Sequence, residues 1–384
     1  MNKNIKIVIG ANAGDEGKGL ATDYFASKNS NGLVILSNGG SQRGHTVELP
    51  NNIRHVFHHF GSGTLRGWDT CFSKDFIINP MQFCKEYNEI KQVSTTPFNV
   101  YCDPECMWST PYDMLYNQIL SRISGRHDTC GMGIWATIKR YRYFKDSNMV
   151  LKSIFDDHTD VEIRAIRDYY VRLVNGLSMD SETLHLIEDL CTYLLDDGIL
   201  NHFLADLMAM KSIIKPFSIS TLSSKYQNII IENGQGLMID TDKDVSFGTP
   251  SHTGLHIPVD ILSQITGEKD VEVCYVSRSY LTRHGYGFLQ EECEFSSINK
   301  YILDLTNQFN NFQGGLRFGK LYPHDLLRRI DDDFCKHIGY GFKKSLMLTH
   351  LNEASFDLLP IKGYFYKIYV SDTKYSDDIH EFKN

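Results

Sequence analysis

Apolar residues in this chain occur in short, nearly continuous runs. Runs of about four to eight residues are typical of strands that are buried on both faces of a parallel sheet. Each run is followed by a polar segment rich in glycine or in hydroxyl residues. The pattern therefore predicts an α/β sheet whose loops meet in one crevice, where open sheets of this kind bind ligands. The apolar runs are residues 5–9, 33–36, 228–231, 271–276, 345–348 and 364–370.

The stretch from about residue 110 to 215 follows a different period. Apolar residues recur there every three or four positions, at 160–174 and again at 182–210, which predicts helices with charged outer faces. An Asp-Asp-Gly sequence at 196–198 predicts a break in the second of them. We find no internal repeat, low-complexity tract or linker. Residues 1–384 are therefore expected to form a single elaborated domain with a helical insertion at about 110–215.

Composition excludes several classes of protein. The chain has 384 residues and a formal net charge of -8, without a long run of Lys and Arg, which argues against a nucleic-acid-binding protein. No apolar run reaches membrane length and the first run is strand-like, so we expect no membrane segment, no signal peptide and a cytoplasmic location. Nine scattered cysteines without a CxxC pair favour reduced thiols over a zinc site.

The first apolar run leads directly into a glycine-rich segment, residues 10–19, and then into a helical pattern. A strand, a glycine-rich turn and a helix start present backbone N–H groups at the positive end of a helix, which is a phosphate site. Lys18 adds a charge for the β- or γ-phosphate, but Gly19 stands where the usual motif has the Ser or Thr that holds Mg²⁺. Asp15 is the nearest replacement ligand, and a carboxylate there can also act as a base.

A second glycine-dense segment, residues 37–46, follows the second apolar run. Its His45 is expected to face the same crevice as Asp15, because both segments follow the carboxyl ends of predicted strands. The flanking glycines leave little side chain to pack against this histidine, which favours a functional role.

Three further histidines, His55, His58 and His59, lie within five residues of one another. Strand alternation places His55 and His59 on one face and His58 on the other. Since no carboxylate or cysteine lies close to them in sequence, we interpret them as structural, with His58 as a candidate substrate contact.

Four of these segments together resemble the signatures of the adenylosuccinate synthetase family. They occur in the family's order and span nearly the whole chain: residues 14–19 (GDEGKG), 39–46 (GG, then GHT), 232–236 (ENGQG) and 281–285 (LTRHG). The resemblance implies a P-loop NTPase-like α/β fold with a central, mostly parallel sheet and helical insertions, and a homodimer. It also implies a ligase that uses Mg²⁺ and hydrolyses a nucleoside triphosphate to join L-aspartate to C6 of a 6-oxopurine nucleotide.

The resemblance also assigns roles to individual residues. Asp15 corresponds to the base that removes the N1 proton and to a Mg²⁺ ligand, and the carbonyl of Gly44 to a second ligand. His45 corresponds to the residue that stabilises the phosphoryl group in transit. The expected triphosphate contacts are Gly14, Glu16, Gly17, Lys18, Gly19, Thr46 and Asn352.

The remaining contacts implied by the resemblance concern the other two substrates. Those expected to bind the nucleotide substrate are Asn12, Gln42, Thr129, Cys130, Gln235, Thr249, His284 and Arg140. Arg140, or alternatively Arg142, falls near the family's cross-subunit arginine. Those expected to bind aspartate are Gly314, Gly315 and Arg317. A guanidinium such as that of Arg317 can grip a carboxylate at two points.

Departures from the family pattern bear on the choice of phosphoryl donor. The family's guanine-reading Thr-Lys-Leu-Asp appears here as Thr-His-Leu-Asn at residues 349–352. An Asp carboxylate accepts two N–H bonds from guanine, whereas an Asn amide both donates and accepts, as the edge of adenine requires. The family's late Ser-x-Gly-Pro turn is replaced at residues 371–374. We therefore expect ATP or dATP, rather than GTP, as the donor.

A shortened synthetase with an altered base reader resembles the bacteriophage branch of the family, which makes 2-aminoadenine nucleotides from dGMP. The predicted product is then N6-succino-2-amino-2′-deoxyadenylate. In some members of that branch the loop aspartate is a serine. Asp15 remains here, which keeps ordinary IMP chemistry with GTP open as the alternative.

Two interpretations of another class also remain open. A P-loop nucleotide switch or a kinase would not need aspartate, but a switch depends on the Ser or Thr that Gly19 replaces. The other is an inactive homologue that serves as an interaction scaffold. The presence of Asp15, Lys18 and His45 argues against it.

Overall fold

A ten-stranded sheet forms the centre of the computed structural model, which describes residues 2–125, 129–146, 153–158, 160–240, 252–302, 304, 306–307, 309 and 312–383. The strands are β1 (Lys3–Gly10), β2 (Leu33–Leu36), β3 (Gly39–Gly40), β4 (His45–Glu48), β5 (Arg54–Phe57), β6 (Asp69–Phe72), β7 (Phe76–Ile78), β8 (Val100–Cys102), β9 (Met107–Trp108), β10 (Ile214–Pro216), β11 (Asn228–Gly236), β12 (Lys269–Arg278), β13 (Leu281–Arg283), β14 (Glu292–Cys293), β15 (Arg317–Gly319), β16 (Lys343–Thr349), β17 (Lys367–Val370) and β18 (His380–Glu381).

Helices pack on both faces of this sheet. They are α1 (Lys18–Ser27), α2 (Pro80–Val93), α3 (Pro111–Ser124), α4 (Ile134–Asp146), α5 (Asp160–Asn175), α6 (Ser181–Leu195), α7 (Asp197–Ile213), α8 (Ile219–Ser223), α9 (His256–Gln264), α10 (Ser296–Asn299) and α11 (Pro323–Phe334). No helix in the described ranges is both long enough and apolar enough to cross a bilayer.

The order of strands in the large sheet is β10-β8-β6-β2-β11-β1-β12-β16-β17-β18. Neighbouring strands run parallel except for the edge pair of β17 and β18. The central strand is β1, in which Ile5 pairs with Ile229 on one side and with Val271 on the other. The predicted mostly parallel α/β sheet is therefore confirmed. The loops that follow β1, β2, β11, β12 and β16 all lie at its carboxyl edge.

Burial of both faces explains why the strands are continuous apolar runs. Ile5, Ile7 and Ile9 of β1 are fully buried in the core on the side of α8, α9 and α11. Val8, which points to the other face, is fully buried in the core formed with α1, α2 and the helices from α3 to α7. A strand covered on both faces needs no polar side, and alternation is lost.

In the described part of the region between Pro111 and Ile213, the helices α3 to α7 are joined by short non-helical segments, so the predicted helical region is present. The predicted break occurs between α6 and α7. There the side chain of Asp196 accepts a hydrogen bond of 2.6 Å from the backbone N–H of Gly198, which caps the start of α7.

Two small units flank the carboxyl edge of the large sheet. In the hairpin of β4 and β5, His45 pairs with Phe57. In the antiparallel sheet β13-β15-β14, Arg283 pairs with Arg317. The sequence did not predict the first hairpin in this form, since His45 was placed in a loop.

Candidate active site

A cavity of about 510 Å³ opens at the carboxyl edge of the sheet, beside the ends of β12 and β16 and the start of α1. Nine residues selected from the sequence line it, namely Asp15, Glu16, Gly17, Lys18, Gly19, Gly44, His45, Thr46 and Asn352. The two residues predicted to be catalytic, Asp15 and His45, thus lie on one cavity. The glycine-rich loop and the second glycine-dense segment meet there, as expected for loops at one sheet edge.

The loop between β1 and α1 needs its glycines for backbone conformation. Gly14 and Gly17 have φ angles of 119° and 95°, which residues with a Cβ rarely adopt. Asp15 has a φ of 60° and so lies in the sparsely populated left-handed region. Gly17 also serves as the residue that precedes the first turn of α1.

Glu16, which is expected to contact the triphosphate, has its side chain inside this loop. Its carboxylate is only 1% exposed and accepts backbone N–H bonds from Asn12 at 3.1 Å and Gly14 at 2.9 Å. The Lys18 ammonium lies 2.6 Å away. Burial opposes the charge on Glu16, but Lys18 and the N–H donors outweigh it and lower its pKa. The carboxylate therefore organises the loop and holds Lys18, whose Nζ must turn from it to meet a phosphate.

Gly19 is explained by close packing of α1 on β4. A Cβ at this position would lie 2.6 Å from the carbonyl oxygen of Thr46 and 2.9 Å from the carbonyl carbon of His45. A Ser or Thr cannot fit there unless the backbone shifts. The absence of the usual hydroxyl ligand thus follows from the position of His45.

The imidazole of His45 is held by a buried carboxylate. Nδ1 of His45 lies 2.6 Å from Oε1 of Glu232, which also accepts a 2.5 Å hydrogen bond from the Ser62 hydroxyl. The second oxygen of Glu232 lies 3.3 Å from the Arg43 guanidinium. Nε2 of His45 is buried and has no hydrogen-bond partner among the described residues. Glu232 was noted from the sequence only as part of a motif, and its role was missed.

Charge and burial set the protonation of this group. Burial, followed by the nearby Arg43 charge, lowers the pKa of His45 to about 4. Burial raises the pKa of Glu232, but Arg43 and His45 outweigh this and lower it to about 2. At neutral pH the ring is therefore neutral with its proton on Nδ1, facing an ionised carboxylate, and Nε2 carries a lone pair.

Cations that the sequence did not single out also line the cavity. Arg54, Arg278 and Lys374 lie on it together with Lys18. Arg54 donates to the Thr306 hydroxyl at 2.6 Å, and Arg278 donates to the Asp304 carboxylate at 2.9 Å. Each of these cations is paired with a carboxylate of the same cavity, Glu16, Glu48 or Asp304. A polyanionic ligand such as a triphosphate would compete with these carboxylates for them.

A family model described as adenylosuccinate synthetase matches residues 7–317 of this chain. The chain belongs to the adenylosuccinate synthetase family. Among curated relatives, the adenylosuccinate synthetase of Clostridium botulinum strain Eklund 17B is 25% identical over 301 residues, 73% of this chain and 64% of that protein. The chain thus spans less than two thirds of the length of that relative.

Two solved structures resemble this synthetase-family chain in fold. One is the succinoaminodeoxyadenylate synthetase of cyanophage S-2L, bound to dGMP and to dATP as an energy donor. It has a TM-score of 0.64 at 12% identity, and the alignment covers 100% of this chain and 97% of that one. The other is the fully ligated adenylosuccinate synthetase of Plasmodium falciparum, with a TM-score of 0.62, 17% identity and coverage of 99% and 87%. The similarity confirms the expected synthetase fold.

The residues expected to bind the nucleotide substrate of this family member are dispersed. Asn12 is 1% exposed, and its side-chain amide donates to the Ser277 hydroxyl and accepts from the Arg329 guanidinium. Gln42, by contrast, has a buried Oε1 without a partner among the described residues. His284 lies beside the loop, with Nε2 3.4 Å from Oδ2 of Asp15.

Four more of these residues do not line the cavity described above or lie outside the described residues. The Thr129 hydroxyl donates to the Asn117 side chain at 2.8 Å, and Cys130 beside it is half-buried. Gln235 is half-buried near the end of β11. Thr249 lies outside the described residues.

Arg140 does not fit its expected role as a nucleotide contact. It is fully buried, donates to the Asp113 carboxylate at 2.9 and 3.1 Å, and donates to the carbonyl of Trp108 at 2.8 Å. A buried arginine with a paired carboxylate and carbonyl is part of the helical core. Arg142, the alternative, is exposed on α4.

Arg317, expected to bind aspartate, is occupied within the chain. Its guanidinium makes a two-point contact with the Glu292 carboxylate, at 2.7 and 2.5 Å, and donates to the carbonyls of Gly285 and Gly287. Gly314 and Gly315 lie just before it, and Gly314 has a φ of 70°. The guanidinium can therefore bind a carboxylate at two points, as predicted, but a substrate carboxylate would have to displace Glu292.

The donor set fits magnesium. No cluster of three or more His, Cys, Asp or Glu side chains occurs in the part of the chain that the structure describes. Mg²⁺ needs no such cluster, since it commonly binds one or two carboxylates together with the phosphates of a substrate. Asp15 and Gly44 line the same cavity as the phosphate loop, so the Asp15 carboxylate and the Gly44 carbonyl are the groups that would hold it.

Proposed function

We propose that this chain joins L-aspartate to C6 of dGMP through a 6-phosphoryl intermediate, with ATP or dATP as phosphoryl donor. The product is N6-succino-2-amino-2′-deoxyadenylate, together with ADP or dADP and inorganic phosphate. The observation that carries the proposal is the convergence of Asp15, Lys18 and His45 on one cavity. A base, a phosphate clamp and an imidazole are the three groups this reaction needs.

The chemistry follows from the poor leaving group of a 6-oxopurine. Asp15 removes the proton from N1, the electron pair moves onto O6, and O6 attacks the γ-phosphorus as the nucleoside diphosphate leaves. The amine of aspartate then attacks C6, the C6–O bond breaks so that inorganic phosphate leaves with that oxygen, and the new C6–N group loses a proton to solvent. Mg²⁺, when bound, neutralises charge on the triphosphate.

His45 supports the transfer through its protonation. The ring is neutral in the free protein because it is buried near Arg43. An incoming phosphoryl group brings negative charge that favours protonation of Nε2, while Glu232 stabilises the resulting imidazolium through Nδ1. The ring can then donate from Nε2 to O6 or to the phosphoryl group.

Two observations support dGMP as the substrate and an adenine nucleotide as the phosphoryl donor. The fold neighbour from cyanophage S-2L was solved with dGMP and dATP. Independently, Asn352 lines the cavity at the position where the family has a guanine-reading Asp, and an amide matches the donor and acceptor pattern of adenine.

For aspartate, the fork of Arg317 supports binding of a carboxylate. It already grips one carboxylate, that of Glu292, at two points. A substrate carboxylate would compete for the same fork.

A second candidate is ordinary adenylosuccinate synthesis from IMP with GTP. The curated relatives named as adenylosuccinate synthetases, such as that of Clostridium botulinum, favour it, as does the retained Asp15.

The test is to assay purified protein with dGMP or IMP, each with ATP, dATP or GTP, with and without aspartate. We expect the highest kcat/KM for dGMP with ATP or dATP, and formation of the succino product only with aspartate. A preference for IMP with GTP would establish the second candidate. Phosphate release that does not need aspartate would instead indicate a kinase or a nucleotide switch.

A further inference from the structure

The segment from Arg278 to His284 touches the phosphate loop at three points. Nε of Arg278 donates to the backbone carbonyl of Asp15 at 2.5 Å, and the Thr282 hydroxyl donates to the carbonyl of Gly14 at 3.1 Å. Nε2 of His284 lies 3.4 Å from Oδ2 of Asp15. The first two contacts hold the backbone of Asp15 at its unfavourable φ of 60°. The third reaches the carboxylate itself.

The position of the proton on His284 can be deduced from its second neighbour. The side-chain nitrogen of Asn307 donates to the Asp304 carboxylate at 2.8 Å, so its oxygen is the atom that faces His284, 3.0 Å from Nε2. Both neighbours of Nε2 are therefore acceptors, and Nε2 must carry a proton. This N–H lies between the Asn307 oxygen and Oδ2 of Asp15.

The ring is also anchored by Asn307, which contacts the same nitrogen as Asp15. Asp304, which fixes Asn307, is itself bound by the Arg278 guanidinium at 2.9 Å. Arg278 thus holds the Asp15 carbonyl and, through Asp304 and Asn307, the ring that meets the Asp15 carboxylate. The backbone of the base is fixed by hydrogen bonds, and the ring that lies 3.4 Å from its carboxylate is held by the same connected set.

We propose that His284 is a positioning residue that aims the Asp15 carboxylate at N1 of the nucleotide substrate. Its N–H holds Oδ2 and leaves Oδ1 to take the proton. This inference rests on the proposed function, in which Asp15 is the base. Because a displacement of about 1 Å in a reacting group can cost about 100-fold in rate, an unheld carboxylate would slow phosphoryl transfer without weakening substrate binding.

Two amide substitutions differ only in reach and form a matched pair. In His284→Gln the amide nitrogen reaches the place of Nε2, whereas in His284→Asn it stops at the place of Nδ1. We expect His284→Asn to lower kcat by about 10- to 100-fold, with the KM values for dGMP and ATP within about threefold of the parent. We expect His284→Gln to keep kcat within about fivefold. If His284 had only a structural role, the two variants would not differ in kcat.

Crystal structures of the two variants give a readout that needs no activity. We expect the Asp15 carboxylate to leave its position in His284→Asn and to keep it in His284→Gln. If His284→Asn does not fold, Asn307→Ala removes the second acceptor at Nε2 of His284, and we expect it to lower kcat in the same direction.

Different results would overturn different statements. Equal kcat for the parent, His284→Asn and His284→Gln, or an unmoved Asp15 carboxylate in the Asn variant, would overturn the role of His284 alone. A parent enzyme that consumes ATP without forming the succino product contradicts the proposed function, while the crystallographic comparison still decides whether His284 holds Asp15.

Discussion

At the scale of single residues, the pairing of His45 with Glu232 decides how the imidazole can work. The two residues are 187 positions apart in the sequence. Both side chains are buried, and Nδ1 of His45 lies 2.6 Å from Oε1 of Glu232. A carboxylate at Nδ1 fixes the tautomer of the ring and stabilises the imidazolium that forms when Nε2 is protonated. Loss of this charge should therefore affect the chemical step.

We expect Glu232→Gln to lower kcat by about 100-fold or more, because a neutral amide can hold the ring but cannot stabilise its positive charge. Steady-state kinetics with dGMP, ATP and aspartate measures this. The variant also leaves Arg43 without its carboxylate, which costs about 3–5 kcal/mol of stability, so assays belong below its unfolding temperature.

Ser62→Ala is the control for Glu232→Gln. It removes one 2.5 Å hydrogen bond to the same carboxylate and keeps the charge. Its kcat should stay within about tenfold of the parent. A Glu232→Gln enzyme as fast as Ser62→Ala would show that the charge on Glu232 is not needed.

Sequence reasoning at this scale worked where function is local and failed where partners are distant. Asp15 and Lys18 were found from the pattern of a single loop. Glu86, on α2, was missed as the partner of His55 and His59, to which it lies at 3.5 and 3.6 Å. Burial opposes ionisation of Glu86, but the nearby histidines outweigh it and lower its pKa. Because Glu86 is not adjacent to these histidines in the sequence, it could not be identified as their partner from the sequence pattern.

At the scale of elements, the contact of α1 with β4 links the phosphate loop to His45. Gly19 at the start of α1 touches the backbone of His45 and Thr46. The helix that carries the N–H groups of the loop and the strand that carries the imidazole therefore have a fixed spacing, which any side chain at Gly19 would increase.

We expect Gly19→Ser to destabilise the protein by about 1–3 kcal/mol and to reduce activity, although Ser is the usual residue of a phosphate loop. Its Cβ would meet the Thr46 carbonyl at 2.6 Å. Calorimetry and the Mg²⁺ dependence of the rate measure the two effects. Gly363→Ser is the control, since nothing lies within 4 Å of a Cβ there. This packing argument would be contradicted by a Gly19→Ser protein that is as stable as the parent and reaches half of its maximal rate at a lower Mg²⁺ concentration.

Element prediction succeeded for long apolar runs and failed for short polar ones. The runs at 5–9 and 271–276 lie within β1 and β12. The strand predicted at 364–370 begins three residues too early, since only the residues from Lys367 onward form β17. Tyr364 and Tyr366 are more than half exposed. In the hairpin of β4 and β5, the segment that begins at Arg54 was predicted as a strand and forms β5, whereas β4 was placed in a loop. Strand order was not predictable, since it depends on pairing between distant segments.

At the scale of the whole molecule, buried histidines make stability depend on pH. Burial lowers the pKa of His45 to about 4 and also lowers the pKa values of His59 and His350. The unfolded chain protonates these rings below about pH 6.5, while the folded chain keeps them neutral. Unfolding therefore takes up protons, and stability falls as the pH drops from about 6.5 towards 4.

We expect the His45 contribution alone to lower the free energy of unfolding by about 2 kcal/mol between pH 7 and pH 5. Urea unfolding of the parent and of His45→Gln at both pH values measures it, and the variant should lose less stability on acidification. His185→Gln, at an exposed side chain, should behave as the parent does. Identical pH dependence in His45→Gln and the parent would disprove the assignment.

The central place of β1 has a consequence for synthesis on the ribosome. Its two neighbours, β11 and β12, begin at Asn228 and Lys269, so the first strand emerges more than two hundred residues before either of them. At about 5–20 residues per second, this apolar strand waits roughly 10 to 45 seconds without its neighbours. A nascent chain of this protein therefore exposes this apolar strand until β11 and β12 have been synthesised, and chaperones that act on emerging chains should matter more for its yield than for that of a protein whose neighbouring strands are close in sequence.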